Sequence, residues 1–129
     1  MIVLDASAAI EMLLRTPSGQ RVEVRVYAPT ESLHAPHLID LEIAQVLRRS
    51  VAAGLISSAR GNEALEDLRD LSLVRYAHEL LLGRIWELRD ILTAYDAAYI
   101  ALAEELHAPL LTCDLKLASG KHRARVDVI

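Results

Sequence analysis

Short apolar runs alternate with longer stretches of helical periodicity along this chain of 129 residues. A run of four to eight β-branched and aliphatic residues bounded by turn residues predicts a strand. The predicted strands are MIVLD at 1–5, SLHAP at 32–36, LSLVRYA at 71–77, PLLTC at 109–113 and RVDVI at 125–129. Strands separated by helices predict a parallel sheet with helices on both faces. We therefore predict an α/β fold, with three α/β/α layers around a central parallel sheet.

Helices are predicted between these strands. Apolar residues recur at helical spacing after Leu38, and Gly54 then supplies a common helix end. The tetrapeptide TPSG at 16–19 is interpreted as a break between the first two helices. The predicted helices are Ala6–Leu14, Gln20–Tyr27, Leu38–Ala53, Ser57 or Ser58 to about Asp70, His78–Arg89, residues 92–106 and a short one at 115–119.

Length and composition limit the class of protein. A chain of 129 residues can bury one core, so a single domain over 1–129 is predicted, built from Leu, Ile, Val and Ala because Phe is absent. The single Cys113 excludes an internal disulfide and fits a reducing cytoplasm. No basic leader precedes the first strand, and no apolar run approaches the roughly 20 residues of a membrane span. The formal charge of −4 argues against binding nucleic acid by bulk electrostatics alone.

Two acids directly follow predicted strands. Asp5 comes after IVL and Asp114 after LLTC. Ligands of parallel sheets bind outside the carboxyl ends of the strands, and neighbouring strands lie about 4.8 Å apart. If these two strands are neighbours, their carboxylates can face each other. Each acid also has a plainer explanation, since Asp5 can cap the following helix and Asp114 can start a turn.

Two further acids lie within predicted helices. Glu42 is placed in the first turn of its helix, where an acid complements the macrodipole, but it borders the apolar stripe. Asp96 follows Thr93 by three residues, which is the spacing of a capping box. The stretch LTAYDAAYIALAEEL at 92–106 is apolar on every side, which predicts a buried helix. Capping alone therefore does not explain the carboxylate of Asp96, although spacing alone does not bring it to Asp5.

Four carboxylates in one pocket would need compensation. Two of them about 4 Å apart repel by roughly 4 kcal/mol at an effective dielectric near 20. Such a pocket holds either protons or a cation. An all-oxygen ligand set without a Cys or His pattern suits Mg²⁺ or Mn²⁺.

The motifs resemble a known family along the whole chain. MIVLDASAAIEMLL, APHLIDLEIAQVLRR, LTAYDAAYIALAEEL and APLLTCDLKLA together are similar to PIN domains of the VapC type, the toxins of type II toxin–antitoxin pairs. The resemblance implies an α/β/α sandwich and metal-dependent cleavage of RNA. It implies that Mg²⁺ or Mn²⁺ is bound by an acidic cluster supported by two small hydroxyl residues. The cluster is Asp5, Glu42, Asp96 and Asp114, and the hydroxyl residues are Ser7 and Thr112.

The resemblance also sets expectations for mechanism and partners. A metal-activated water would attack the phosphodiester, and the partners would be an RNA (tRNA, rRNA or mRNA) and a VapB-type antitoxin, with a homodimer or a larger toxin–antitoxin assembly. Basic residues proposed to contact RNA are Arg84, Arg89, Lys116, Lys121, Arg123 and Arg125, and a solvated charged surface is the alternative for each. Tyr95, Tyr99 and Trp86 are interpreted as packing residues.

One departure keeps a second function open. Related sequences commonly carry Asn five residues before the Asp of this helix, whereas Ile91 stands there. A PIN-fold protein that binds RNA and cleaves it weakly or not at all is therefore the alternative. A haloacid-dehalogenase-type phosphotransferase is disfavoured because Ser7 occupies the position of its second Asp.

Overall fold

A five-stranded sheet lies at the centre of the computed structural model, which describes residues 1–129. Its strands are β1 (Ile2–Leu4), β2 (Leu33–Pro36), β3 (Leu73–Tyr76), β4 (Leu110–Thr112) and β5 (Val126–Val128). The strand order is β3-β2-β1-β4-β5, and every neighbouring pair is parallel. The predicted parallel sheet is confirmed. The first strand of the chain occupies its middle, between β2 and β4.

Six α-helices and two short 3₁₀ turns connect the strands. The helices are α1 (Ala6–Leu13), α2 (Pro17–Val26), α3 (Leu38–Ala52), α4 (Ser58–Asp70), α5 (Leu82–Glu87) and α6 (Ala94–Leu106), and the 3₁₀ turns span Glu79–Leu81 and Leu115–Ala118. Helix α6 packs against β1, β2 and β4 with α5 beside it, while α1 contacts β4 and the helices α2, α3 and α4. The three-layer α/β/α sandwich is confirmed. None of these helices has the length and hydropathy that crossing a membrane requires.

Two predicted helix boundaries are wrong for identifiable reasons. Helix α2 begins at Pro17 rather than Gln20, because Pro fits the first helical position and the Thr16 side chain caps it by accepting the N–H of Gly19. A continuous helix from His78 to Arg89 does not form. The ring of His78 instead accepts the N–H of Leu38 at 3.0 Å, and a 3₁₀ turn separates it from α5.

The middle of helix α6 is buried on all sides. All residues from Ala97 to Ala103 are buried, as the all-round apolar pattern predicted. Their side chains join a single continuous core cluster with the strands. Alanine supplies four of these seven positions, and small side chains let a helix approach a sheet closely. The position of Asp96 is therefore set by a helix that has little freedom to move.

Candidate active site

One open pocket at the carboxyl end of the sheet is lined by all four predicted acids. Its volume is about 590 Å³. Glu42 lines it from α3 and Asp96 from α6, while Asp5 and Asp114 lie just after β1 and β4. Strands β1 and β4 are neighbours, with Leu4 paired to Leu111, and the N–H of Asp5 donates to the Leu111 carbonyl. The predicted meeting of the two strand ends therefore occurs.

Hydroxyl groups hold the Asp5 carboxylate in a fixed orientation. Its Oδ2 accepts from the Ser7 hydroxyl, from the Ser7 N–H at 3.3 Å and from the Thr112 hydroxyl at 2.8 Å. The two hydroxyls also accept backbone N–H groups from the end of β4, Ser7 from Cys113 and Thr112 from Asp114, both at 2.9 Å. Asp5 is thus both the cap of α1 and a wall of the pocket, so its two interpretations are compatible.

Asp114 likewise combines a turn with the pocket. Its Oδ1 accepts the Lys116 N–H at 2.9 Å and so starts the 3₁₀ turn after β4. The charge of Lys116 opposes the rise in the pKa of Asp96.

Glu42 lies deeper in its helix than predicted. Asp40 is the acid in the first turn of α3, where it makes a two-point ion pair with Arg75 at 2.7 and 2.8 Å. The macrodipole explanation therefore applies to Asp40 and is wrong for Glu42, which lies two residues further on, beyond the first turn. Glu42 Oε1 accepts the Tyr99 hydroxyl at 2.7 Å. Burial raises the pKa of Glu42, Tyr99 opposes the shift, and the charges of Asp5 and Asp96 add to it.

Asp96 forms only one half of the expected capping box. Its N–H donates to the Thr93 hydroxyl at 3.2 Å, while its own carboxylate makes no hydrogen bond of ordinary length. Burial raises the pKa of Asp96, and the charges of Asp5 and Asp114 raise it further. The pocket thus contains two carboxyls, Glu42 and Asp96, that are electrostatically strained when charged.

The donor set of the pocket suits a hard divalent cation. Each of the four acids keeps at least one carboxylate oxygen that accepts no hydrogen bond: Asp5 Oδ1, Glu42 Oε2, Asp114 Oδ2 and both oxygens of Asp96. Charged oxygens without His or Cys partners are the ligands of Mg²⁺ and Mn²⁺. The side chains share the pocket but are not drawn together, since no three acidic, His or Cys groups anywhere in the chain form a ligand set. Mutual repulsion of uncompensated carboxylates favours such a spread.

The six predicted RNA-contact residues lie in different places. Lys116 is the one beside the acids. Arg84, Arg123 and Arg125 line another cavity, of about 770 Å³, which also contains His107 at the end of α6 and Pro109 before β4. The Arg89 guanidinium lies 4.9 Å from the centre of the Trp86 ring, and Lys121 is exposed after the 3₁₀ turn.

Residues that the sequence interpretation missed complete the pocket wall. Gln45 and Arg49 follow Glu42 on α3 and line the same pocket. Spacings of three and seven residues place them on the Glu42 face of the helix, a signal that was available in the sequence. Tyr95 lines the pocket with 67% of its surface exposed, and Trp86 is 68% exposed, so packing is the wrong interpretation for both. Tyr99 is fully buried, as predicted, but its hydrogen bond to Glu42 was missed.

Comparison with known proteins gives a consistent result. The model of the PIN domain family matches residues 2–121. Ribonuclease VapC9 of Mycobacterium tuberculosis is 45% identical over 130 aligned residues, covering 100% of this chain and 98% of its own. Ribonuclease VapC12 of the same organism is 40% identical, covering 100% and 99%. The crystal structure of VapBC2 from Rickettsia felis, bound to a DNA fragment from its promoter, aligns with a TM-score of 0.71 at 14% identity over 98% of each chain.

Proposed function

The chain belongs to the PIN domain family, and on that basis we propose that it is a metal-dependent endoribonuclease of the VapC type. In this role it hydrolyses RNA phosphodiester bonds in the cytoplasm as the toxin of a type II toxin–antitoxin pair. Two VapC ribonucleases match it over their whole length, which supports the activity.

The observation that carries the proposal is the single pocket formed by four acids from distant parts of the chain. Asp5 and Asp114 have local roles in a helix cap and a turn, but neither role requires the four acids to line one cavity. Burial raises the pKa of both Glu42 and Asp96, and the charges of neighbouring acids raise it further. Perturbed carboxyl groups in an open cleft are typical of a functional site.

In the proposed site Asp5, Glu42, Asp96 and Asp114 hold Mg²⁺ or Mn²⁺. When bound, such an ion offsets charge on a phosphate and acidifies bound water. Ser7 and Thr112 keep the Asp5 carboxylate from rotating, because both hydroxyls donate to the same oxygen, Oδ2. Orienting partners of this kind are a regular part of metal sites.

Cationic side chains near the acids are candidates to bind the RNA backbone. Arg49 lies on the pocket wall, is exposed, and forms neither an ion pair nor a side-chain hydrogen bond within the chain. Lys116 lies beside Asp114. We place phosphates flanking the scissile bond near these two residues. The three arginines of the larger cavity are less suited to that task, because Arg84 and Arg123 contact Glu104 and Arg125 contacts Asp127.

A VapB-type antitoxin is the proposed protein partner, with self-association of the toxin into a homodimer. Large apolar side chains are exposed on the segment around α5, including Leu80 at 84%, Leu82 at 56% and Trp86 at 68%. Exposed apolar residues that are grouped in this way favour protein contacts.

The test is RNA cleavage by the purified chain with Mn²⁺, with and without EDTA. We expect cleavage that EDTA abolishes. Asp96→Asn should lower the rate at least about 100-fold, as removal of one charge-stabilising group does in other active sites. Asp90→Asn is the matched control, because Asp90 is an exposed acid without a hydrogen-bond partner. Full activity of Asp96→Asn, or equal activity in EDTA, would contradict the proposal.

The same experiment separates the alternative function. Ile91, at the position where relatives commonly carry Asn, is 45% exposed, and no three acids form a ligand set. A protein that only binds RNA would retain the RNA in a filter-binding assay and leave it intact with Mn²⁺. Arg49→Ala should weaken binding and reduce the slope of affinity against salt by about one charge. An unchanged slope would remove Arg49 from the proposed RNA contacts.

A further inference from the structure

Tyr99 places a phenol hydroxyl in the interior, beside the acidic pocket. Its side chain is fully buried in the middle of α6, and its hydroxyl donates to Glu42 Oε1 at 2.7 Å. This is the one side-chain hydrogen bond between α6 and α3. Two of the four acids are on these helices, Asp96 on α6 and Glu42 on α3.

Helical geometry connects Tyr99 to both acids. Tyr99 follows Asp96 by three residues, and side chains at that spacing lie on neighbouring parts of one helix face. The same face of α6 therefore presents one carboxylate to the pocket directly and reaches the other through the phenol. The Tyr99 hydroxyl donates to Oε1 of Glu42, and Oε2 accepts no hydrogen bond.

We propose that Tyr99 is a positioning residue, whose hydroxyl holds Glu42 so that the free oxygen serves a hard divalent cation. This inference rests on the proposed function, because it assigns Glu42 to the metal. Tyr99 itself is not a ligand in the proposal. It acts through Glu42, and its contribution is to the affinity for the ion.

A purely structural role explains the ring but not the hydroxyl. Burying a hydroxyl is unfavourable unless it is hydrogen-bonded, and a Phe ring would fill the same space without that requirement. A phenol is protonated at neutral pH, and the Tyr99 hydroxyl donates that proton to Glu42 Oε1. A donor fixed in this way can orient a carboxylate without competing for the cation.

The first experiment measures Mn²⁺ binding to the full-length chain without RNA. Free Mn²⁺ is followed by electron paramagnetic resonance during titration of wild type and Tyr99→Phe, which removes the hydroxyl and keeps the ring. We expect the variant to bind Mn²⁺ about 10–100-fold more weakly, the usual effect of losing a partner that orients a ligand. Tyr27→Phe is the matched control, since Tyr27 is 67% exposed, does not line the acidic pocket and has no hydrogen-bond partner for its hydroxyl. Its Mn²⁺ affinity should equal that of wild type.

A double-mutant cycle tests whether Tyr99 acts through Glu42. In a Glu42→Gln background, Tyr99→Phe should change the remaining Mn²⁺ affinity by less than about 2-fold, because the group that it orients is already altered. A general loosening of the core would instead produce the same loss in both backgrounds, and that result would overturn the inference.

Kinetics supply an independent readout. Cleavage by Tyr99→Phe should require more Mn²⁺ for half-maximal rate, while the rate at saturating Mn²⁺ stays within a few-fold of wild type. If wild type binds Mn²⁺ and Tyr99→Phe binds it equally well, the positioning role is wrong and the nuclease proposal stands. If wild type itself binds no Mn²⁺, the proposed function fails and the positioning role fails with it.

Discussion

The two ends of helix α6 treat a carboxylate in opposite ways. Asp96 in the first turn has a raised pKa, because burial and neighbouring acids disfavour its charge. Glu104 in the last turn has only 7% of its side chain exposed, yet the Arg84 guanidinium holds the pKa of this carboxyl down to about 2. Burial therefore does not decide whether an acid is strained. The decisive difference is whether the chain supplies the opposing charge itself.

The Glu104 end is complete within the chain. Arg84 donates to both carboxylate oxygens, at 2.7 and 3.1 Å, and the Arg123 N–H donates at 2.8 Å. At the Asp96 end, four acids line one pocket, and neither of the two candidate cations, Arg49 and Lys116, forms an ion pair with them. The first arrangement stabilises the fold, and the second leaves room for a ligand to complete the charge balance.

The largest effect on stability is expected when the Arg84–Glu104 ion pair at the end of α6 is removed. Arg84→Met keeps the apolar stem of the side chain but leaves Glu104 without its main partner, and removal of one member of a buried pair destabilises by about 3 kcal/mol. Urea unfolding of the metal-free protein at neutral pH measures this loss. Glu87→Gln removes the exposed partner of Arg84 (65% exposed) and should change stability by less than about 0.5 kcal/mol. Equal effects of the two variants would show that the pair at Glu104 is no stronger than a surface contact.

A slightly smaller effect on stability is expected when a divalent ion binds the four acids at the start of α6. A divalent ion that binds only the folded state stabilises by about 2.7 kcal/mol at a concentration of 100 times its Kd. Thermal unfolding with increasing Mn²⁺ should therefore show a rising Tm that EDTA reverses. Arg84→Met should retain this increment, because its change lies at the other end of α6, whereas Asp96→Asn should lose most of it. The same increment in Asp96→Asn would place the ion elsewhere.

The smallest effect concerns the metal-free pocket and its pH dependence. Asp96→Asn removes one repelling charge and should stabilise the metal-free protein near pH 7 by about 1 kcal/mol, the interaction of one well-screened pair. Because the pKa values of Glu42 and Asp96 are raised in the folded state, that state binds more protons than the unfolded chain just above the ordinary carboxyl range. Stability contributed by this pocket therefore falls as pH rises through that window and levels off above the raised values.

Urea unfolding in EDTA at several pH values checks both the size and the sign. Asp96→Asn should show a shallower fall in stability with rising pH than wild type. Glu104 has the opposite sign, because its pKa is lowered to about 2: its stabilisation is present above the ordinary Glu value and is lost as pH falls towards 2. A steeper fall in Asp96→Asn would mean that the charge at this position is already compensated.

The sequence predicted the site best where a local pattern was enough to locate a residue in the fold. Asp5 and Asp114 end apolar strands, and the ends of neighbouring parallel strands share one edge of the sheet, so their meeting could be predicted. Glu42 and Asp96 were different. Helical spacing placed each on a helix, but their approach to Asp5 depends on how α3 and α6 pack, and only the family resemblance suggested it.

Tertiary contacts explain the remaining differences. Arg84 was considered for RNA contact, whereas folding brings its guanidinium to Glu104, 20 positions away. The Tyr99 hydroxyl reaches Glu42 across 57 positions. Side-chain contacts that support a site are therefore the hardest to predict from sequence, because tertiary packing rather than local pattern determines which residues meet.

The central place of β1 makes the site depend on a strand that is synthesised much later, β4. Thr112 and Asp5 are separated by 107 positions, yet the Thr112 hydroxyl donates to the Asp5 carboxylate. A nascent chain on the ribosome has made β1 early but lacks β4 and Asp114 until synthesis has passed those residues, and pairing across such separations forms late. Translation should therefore yield no working nuclease before β4 has been made, and a fragment that stops short of β4 should be harmless to the RNA of its own cell.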